Sequence, residues 1–155
     1  MTNLTLRHLV RSASVTAIAG FAAAALLIFG AGAQEADWEE KPYTVIDGKV
    51  DFGTYNGYRR YHSFCHVCHG PDGMGSSYAP ALIESIPKIG YEGFLEVVVN
   101  GRKNVNTSSQ SVMPAFGEVQ DVMLYIDDIY SYLKARADGA LGRGRPKRLP
   151  KETTG

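Results

Sequence analysis

The chain has 155 residues and a formal net charge of zero, with 45% hydrophobic and 21% charged residues, 17 glycines and two cysteines. That composition excludes a disordered or collagen-like chain, and two cysteines exclude a multi-bridge disulfide scaffold. The balanced charge gives no electrostatic footprint for nucleic acid, and a single apolar stretch excludes a polytopic membrane protein.

The first 33 residues read as an address. Arg7, His8 and Arg11 make a positive start, residues 15–29 an uncharged apolar run, and Ala31 and Ala33 a small-residue pattern ahead of Gln34. This is the arrangement of a secretory signal peptide over 1–33. The alternative is an uncleaved anchor, because the uncharged run 12–33 has 22 residues, about the length a bilayer-spanning helix needs. Its Ala and Gly content favours cleavage, which leaves no stable membrane insertion. Export predicts the periplasm. Cleavage leaves a net charge of −2, divided into −6 over 34–142 and +4 over 143–155.

Residues 34–50 read as a polar N-terminal extension, with Tyr43–Ile46 extended and Asp47-Gly48 a turn. From Asp51 to Phe64, Tyr55, Tyr58 and Tyr61/His62 recur at helical spacing. Gly70–Ala79 reads as loop with a turn at Pro71-Asp72-Gly73, and Pro80–Ile86 as a short helical turn. Tyr91–Asn100 predicts a helix with Phe94, Leu95, Val98 and Val99 on one face and Gly101 ending it, although Val97–Val99 alone suits a strand. Arg102–Gly117 reads as a polar loop. Val119–Ala137 is the strongest helix, with Val122, Ile129 and Tyr132/Leu133 on one face. The basic segment 143–155 is rich in Gly and Pro and poor in apolar residues, so it is expected to be a flexible tail that adds little stability. The predicted fold is all-α: one small domain, 51–142, whose long loops need something to order them. A large apolar cofactor supplies it.

Cys65-His66-Val67-Cys68-His69 is C-x-x-C-H, the attachment signature of c-type haem. Thiols three positions apart reach the two vinyl groups on one porphyrin edge, and the adjoining His69 presents its imidazole to the iron. Three other readings fit less well. A thioredoxin-like redox pair needs a strand directly before it, whereas Tyr55–Phe64 reads as helix. A zinc site needs four ligands, and Cys65, Cys68 and two of His62, His66 and His69 would be crowded together. A plain disulfide leaves His69 unexplained.

With these residues in hand, the stretch from about Asp51 to Asp138 resembles the class I c-type cytochromes. Gly57 and Tyr61 match the small and aromatic positions of that family's first helix, and Ile129 with Tyr132-Leu133 matches its last; the resemblance implies that the two helices cross and pack. The segment HGPDGMG after the motif is also similar. Pro80-Ala81-Leu82 matches the segment whose proline carbonyl accepts a hydrogen bond from the proximal imidazole, which fixes the ring. Val-Met-Pro-Ala-Phe, 112–116, matches the family's distal pattern and implies Met113 as sixth ligand. Met74 follows the motif too closely, Met123 reads as core, and His62 and His66 lie beside the thioethers; an open sixth position is the remaining alternative. Tyr58, Tyr78 and Phe116 are candidate pocket residues, and Arg102, just after Gly101, is a candidate partner for a haem propionate. Arg59 and Arg60, and Asp121 with Asp127-Asp128, read as solvated charge. The implied cofactor is one covalent haem c.

Residues 43–82, 98–109, 112–117 and 125–146 more narrowly resemble the cytochromes associated with methanol oxidation. This resemblance implies an electron carrier rather than an enzyme. It would take single electrons from a PQQ-dependent methanol (alcohol) dehydrogenase, of lanthanide type, and pass them to a downstream cytochrome c or terminal oxidase. The alternatives are a general cytochrome c for another dehydrogenase or oxidase, a haem sensor or enzyme with a displaceable distal ligand, and a thiol–disulfide oxidoreductase.

Overall fold

The computed structural model describes residues 38–105 and 110–150; the predicted signal peptide, 1–33, lies outside them. After a helical turn at 38–40, the chain forms β1 (Val45–Ile46) and β2 (Lys49–Val50), then α1 (Phe52–Phe64), α2 (His66–His69) and a tight helical turn at Pro71–Gly73. There follow α3 (Leu82–Asn100), β3 (Arg102–Val105), β4 (Gln110–Met113), α4 (Gln120–Met123), α5 (Ile126–Ala137) and β5 (Lys147–Arg148). Helices carry the fold, and the strands are short. Among the described residues no helix is long and apolar enough to cross a membrane.

Asp51 caps α1. Its carboxylate accepts the Thr54 amide at 2.9 Å and the Thr54 hydroxyl at 2.7 Å, satisfying a donor that the helix start leaves free. The same carboxylate accepts the Thr44 amide at 2.7 Å, which ties the β1–β2 hairpin to the helix. That hairpin turns at Asp47-Gly48, with φ of 49° and 71°, the left-handed pair that two-residue hairpins favour.

α1 and α5 cross where Gly57 meets the backbone of Asp128. A Cβ on Gly57 would overlap the Asp128 carbonyl, so only glycine permits this approach. Tyr61 and Tyr132 fill the angle with ring centroids 5.5 Å apart, and both are fully buried beside Ile129 and Leu133. On its other side α5 packs against α3 through Tyr130, whose ring lies 5.0 Å from Tyr91 and 5.5 Å from Phe94. The helix crossing is the one that the sequence led us to expect.

Four expectations need correction. Val119–Ala137 is two helices: at Tyr125 (φ −127°, ψ 24°) the chain leaves helical values, and its amide bonds Val122 at 3.2 Å, three residues back. Val122 and Ile126 are both buried across the break, so the apolar period runs through it unmarked. Leu82–Asn100 is longer than the two predicted segments and kinks at Gly90, φ 65°. Arg102–Gly117 contains an antiparallel hairpin pairing Arg102 with Met113 and Lys103 with Val112.

The fourth correction concerns the basic segment, which is built into the domain as far as Pro150. β5 pairs parallel with β2, and the Leu149 amide donates to the Val50 carbonyl at 2.8 Å. Pro146 is buried. Asp72, itself buried, accepts the Gly144 amide at 3.1 Å and pairs with Arg143 at 3.4 Å. The N-terminal extension is likewise packed from Trp38 onward, with the Trp38 ring edge-on to Tyr91 at 5.2 Å. Residues 151–155 lie outside the described residues.

Candidate functional site

α2 follows α1 with only Cys65 (φ −108°, ψ −35°) between them. The Cys65 amide bonds the Tyr61 carbonyl at 2.8 Å, and the His69 amide bonds the Cys65 carbonyl at 3.0 Å. Cys65, Cys68 and His69 are thus three and four residues apart on one helical turn, the spacing that puts side chains on a common face. Both thiols are free. Burial pushes the Cys65 thiol up to about 12, opposite to the depressed value that makes a reactive redox cysteine. With a helix before it rather than a strand, the pair is not set up for thiol–disulfide exchange.

His69 is buried, and its Nδ1 donates to the Pro80 carbonyl at 3.0 Å. A carbonyl can only accept, so the tautomer is fixed and Nε2 is left with its lone pair, as a metal-ligating imidazole requires. The loop between them is held by Tyr61. Its hydroxyl donates to the Gly70 carbonyl at 2.6 Å and accepts the Gly73 amide at 3.1 Å. Burial raises the Tyr61 phenol well above its ordinary value, so it stays a neutral donor. The Gly75 amide closes the loop onto the His69 carbonyl at 2.7 Å. Asp72, at φ 61°, accepts the Tyr132 hydroxyl at 3.4 Å, and Arg136 bonds the Asp72 carbonyl at 3.3 Å.

Met113 is placed by the hairpin. It ends β4 directly across from Arg102, which is exposed. Gly101 makes this possible: a Cβ there would stand 2.6 Å from the Met113 carbonyl oxygen. Beyond Pro114 the chain is stitched to the end of α3, with the Phe116 amide on the Val98 carbonyl at 2.8 Å and the Gly117 amide on Val99 at 3.2 Å. Met113, Phe116, Leu82, Leu95 and Cys65 are half-buried apolar residues packed on the core. Two thiols not joined in a disulfide, a tautomer-fixed imidazole and a half-buried thioether among apolar side chains are donors of the kinds that a covalent haem c would use, so the residues present fit that group.

The other candidates fall elsewhere. Met74 is exposed on the loop, with its sulfur 3.8 Å from Arg136. Met123 is half-buried in α4. The His62 ring stacks on His66 at 5.4 Å, and its Nδ1 donates to the Tyr58 carbonyl at 2.8 Å. Tyr58 packs edge-on to Tyr132 at 5.5 Å, while Tyr78 is exposed.

The charges read as solvated are partly engaged. Arg60 pairs with Asp121 at 3.2 Å and lies over the Tyr125 ring at 4.0 Å. Asp127 accepts the Tyr91 hydroxyl, and Asp128 accepts the Asn56 amide at 2.7 Å. Burial raises the Asp128 carboxyl above its ordinary range. Asp72 and Tyr61, which organise the loop after the motif, appear in the sequence only as a turn residue and a packing residue. A polar residue in a Pro-Asp-Gly turn gives no sign of being buried.

No family model matches the chain. Residues of this chain are 36% identical over 123 positions to cytochrome c-555 of Methylococcus capsulatus, covering 79% of this chain and 86% of that protein. They are 58% identical over 100 positions to cytochrome c-553I of Paracoccus denitrificans, which is 64% of this chain and 44% of that protein; the chain thus spans less than half of that relative's length. The crystal structure of the c-type cytochrome XoxG from Methylobacterium extorquens AM1 superposes with a TM-score of 0.63 at 50% identity, covering 72% of this chain and 69% of that one.

Proposed function

The chain belongs to the class I c-type cytochromes, and from that premise we propose that it carries single electrons in the periplasm from a PQQ-dependent methanol dehydrogenase to a downstream cytochrome c or terminal oxidase. Its cofactor is a covalent haem c, and it is an electron carrier rather than an enzyme. When bound, the haem supplies a one-electron Fe(III)/Fe(II) couple. The donor assignment is carried by one observation: the 50% identity to the c-type cytochrome XoxG extends over 72% of this chain, well beyond the haem motif, and XoxG is of the kind associated with methanol oxidation. An export-type N-terminus supports the periplasm.

The residues divide the work. Cys65 and Cys68 hold the haem as thioethers. His69 offers Nε2 to the iron while Pro80 holds the ring, and the carbonyl contact makes the imidazole more basic. Met113, held by the hairpin and by the close approach of Gly101, would offer its sulfur as the second ligand. A haem held by His69 and Met113 would carry a histidine–methionine ligand pair, which favours a positive potential and would leave little room for small molecules at the iron. Leu82 and Phe116, half-buried on the core, would keep water from the haem, and Arg102 would serve a propionate.

Stopped-flow mixing of oxidised full-length holocytochrome with purified methanol dehydrogenase and methanol tests the donor. Rapid second-order reduction is expected. Absence of reduction, in a protein that a small reductant does reduce, sinks the donor assignment. Carbon monoxide should not bind the reduced protein at neutral pH; binding there would favour the sensor or enzyme reading.

A further inference from the structure

The folded basic segment brings together charges that are far apart in sequence. Arg145 crosses the exposed face of α1: its Nε lies 3.2 Å from the Tyr55 hydroxyl, a terminal nitrogen also bonds that oxygen, and the guanidinium carbon is 5.7 Å from the Tyr55 ring centre. Arg148 lies 5.7 Å over Phe52, an exposed aromatic. Between Arg145 and the second half of α1 is a groove of about 270 Å³, lined by Tyr58, Arg59, Arg60, His62, Ser63 and Arg145. Among the described residues three guanidiniums line it and no carboxylate does. Asp121, outside the lining, pairs with Arg60 and is exposed, so the groove keeps a positive surplus in a chain whose net charge from residue 34 onward is −2.

We infer that this groove is the docking site for a carboxylate-rich surface of a protein redox partner. The inference rests on reading the chain as an electron carrier and adds where and how the partner sits. Three features favour a protein surface over a small ion. The groove is far larger than an inorganic anion. Its lining sets three arginines beside Tyr58, residue types enriched at the energetic centres of protein interfaces. Arg145 and Arg60 are also held in place by aromatic faces and hydrogen bonds, so less side-chain freedom is lost when a carboxylate is gripped. The groove ends at Ser63, two residues before Cys65, so a partner seated there is brought to the haem attachment end of α1. A positive patch on a nearly neutral domain orients the encounter and raises its rate, an effect that salt screens.

The test uses the full-length holoprotein, an Arg59→Gln/Arg145→Gln variant, and a Lys41→Gln/Lys88→Gln variant with the same change in net charge at exposed sites away from the groove. With methanol dehydrogenase as donor at low ionic strength, the groove variant should be reduced about tenfold more slowly, within the range steering supplies, and the gap should close in high salt. The charge-matched control should stay within about twofold of wild type. Reduction by uncharged hydroquinone should be equal in all three, and the visible spectra unchanged. In a second arm, an oligoglutamate peptide is titrated by NMR. It should shift resonances of Tyr58, Arg59, His62 and Ser63 in wild type but not in the groove variant, and inorganic phosphate at equal charge should not. Equal losses in groove variant and control would overturn the proposal, as would no loss in either, or shifts caused by phosphate and not by peptide. Should the dehydrogenase reduce none of the proteins, the donor assignment fails, and the peptide titration alone decides the groove.

Discussion

Met113 is the residue whose role depends most on its neighbours. The sequence supplies a Met-Pro pair; the structure supplies the hairpin opposite Arg102 and the glycine beneath it. As the proposed axial sulfur, Met113 should give ferric haem the weak far-red absorption of thioether ligation. Met113→Ala is expected to abolish that band and lower the reduction potential, whereas Met74→Ala should leave both unchanged, its sulfur being exposed beside Arg136. An unaltered spectrum in Met113→Ala would remove it from the iron. Tyr61 acts in two ways at once, because the aromatic ring that fills the helix crossing carries a hydroxyl that donates to Gly70 and accepts from Gly73.

The crossing of α1 and α5 is the element-scale joint on which the haem motif hangs, because α2 follows α1 without a loop. Glycine at position 57 is set by the Asp128 carbonyl pressing against its Cα. Gly57→Ala must push the helices apart, and an overpacked core contact of this kind costs about 3 kcal/mol. Thermal unfolding of the holoprotein should show a drop of more than about 10 °C. Gly48→Ala is a contrast in space, since nothing lies within 4 Å of a Cβ there; its cost is only that of a left-handed backbone. A Gly57→Ala protein as stable as wild type would mean that the helices do not cross at this point.

For the whole molecule, the basic segment is part of the stability. Ending the chain after Gly142 removes β5, uncovers Val50, and takes the Gly144 amide and Arg143 away from buried Asp72. Losing partners to a buried carboxylate costs about 2 kcal/mol, so the melting temperature should fall by about 10 °C. No change would return the segment to a mobile tail. Alkaline pH probes the tyrosine-rich core. Burial and the bond to Asp138 raise the Tyr43 phenol from 10.0 to about 12, and burial takes Tyr61, Tyr91 and Tyr132 higher still. Above pH 10 the unfolded chain releases phenolic protons that the folded chain retains, so stability falls as pH rises. Melting temperatures should decline between pH 10 and about 12; a flat profile there would mean that these phenols are not buried against ionisation.

Local features were legible from the amino-acid order alone. The C-x-x-C-H motif is chemistry written in five consecutive residues, and the Gly57, Tyr61 and Tyr132-Leu133 spacing marks two helix faces because burial repeats with the helical period. Helix boundaries were less legible where the apolar period and the backbone disagree. Val122 and Ile126 keep their spacing across the break at Tyr125, and Pro87 and Gly90 look like stops although the chain runs helical through one and kinks at the other. The fate of charges and polar segments was settled in three dimensions. Arg143 and Gly144 lie 71 and 72 positions from Asp72, and nothing in a basic Gly-Pro stretch tells whether a buried carboxylate awaits it. The same holds for the β3–β4 hairpin, whose polar strands carry no alternation, and for the arginine groove, which exists only once residue 145 lies across α1. Long-range pairing of polar groups depends on which surfaces the core brings within about 3 Å of each other, and that distance is a property of the fold.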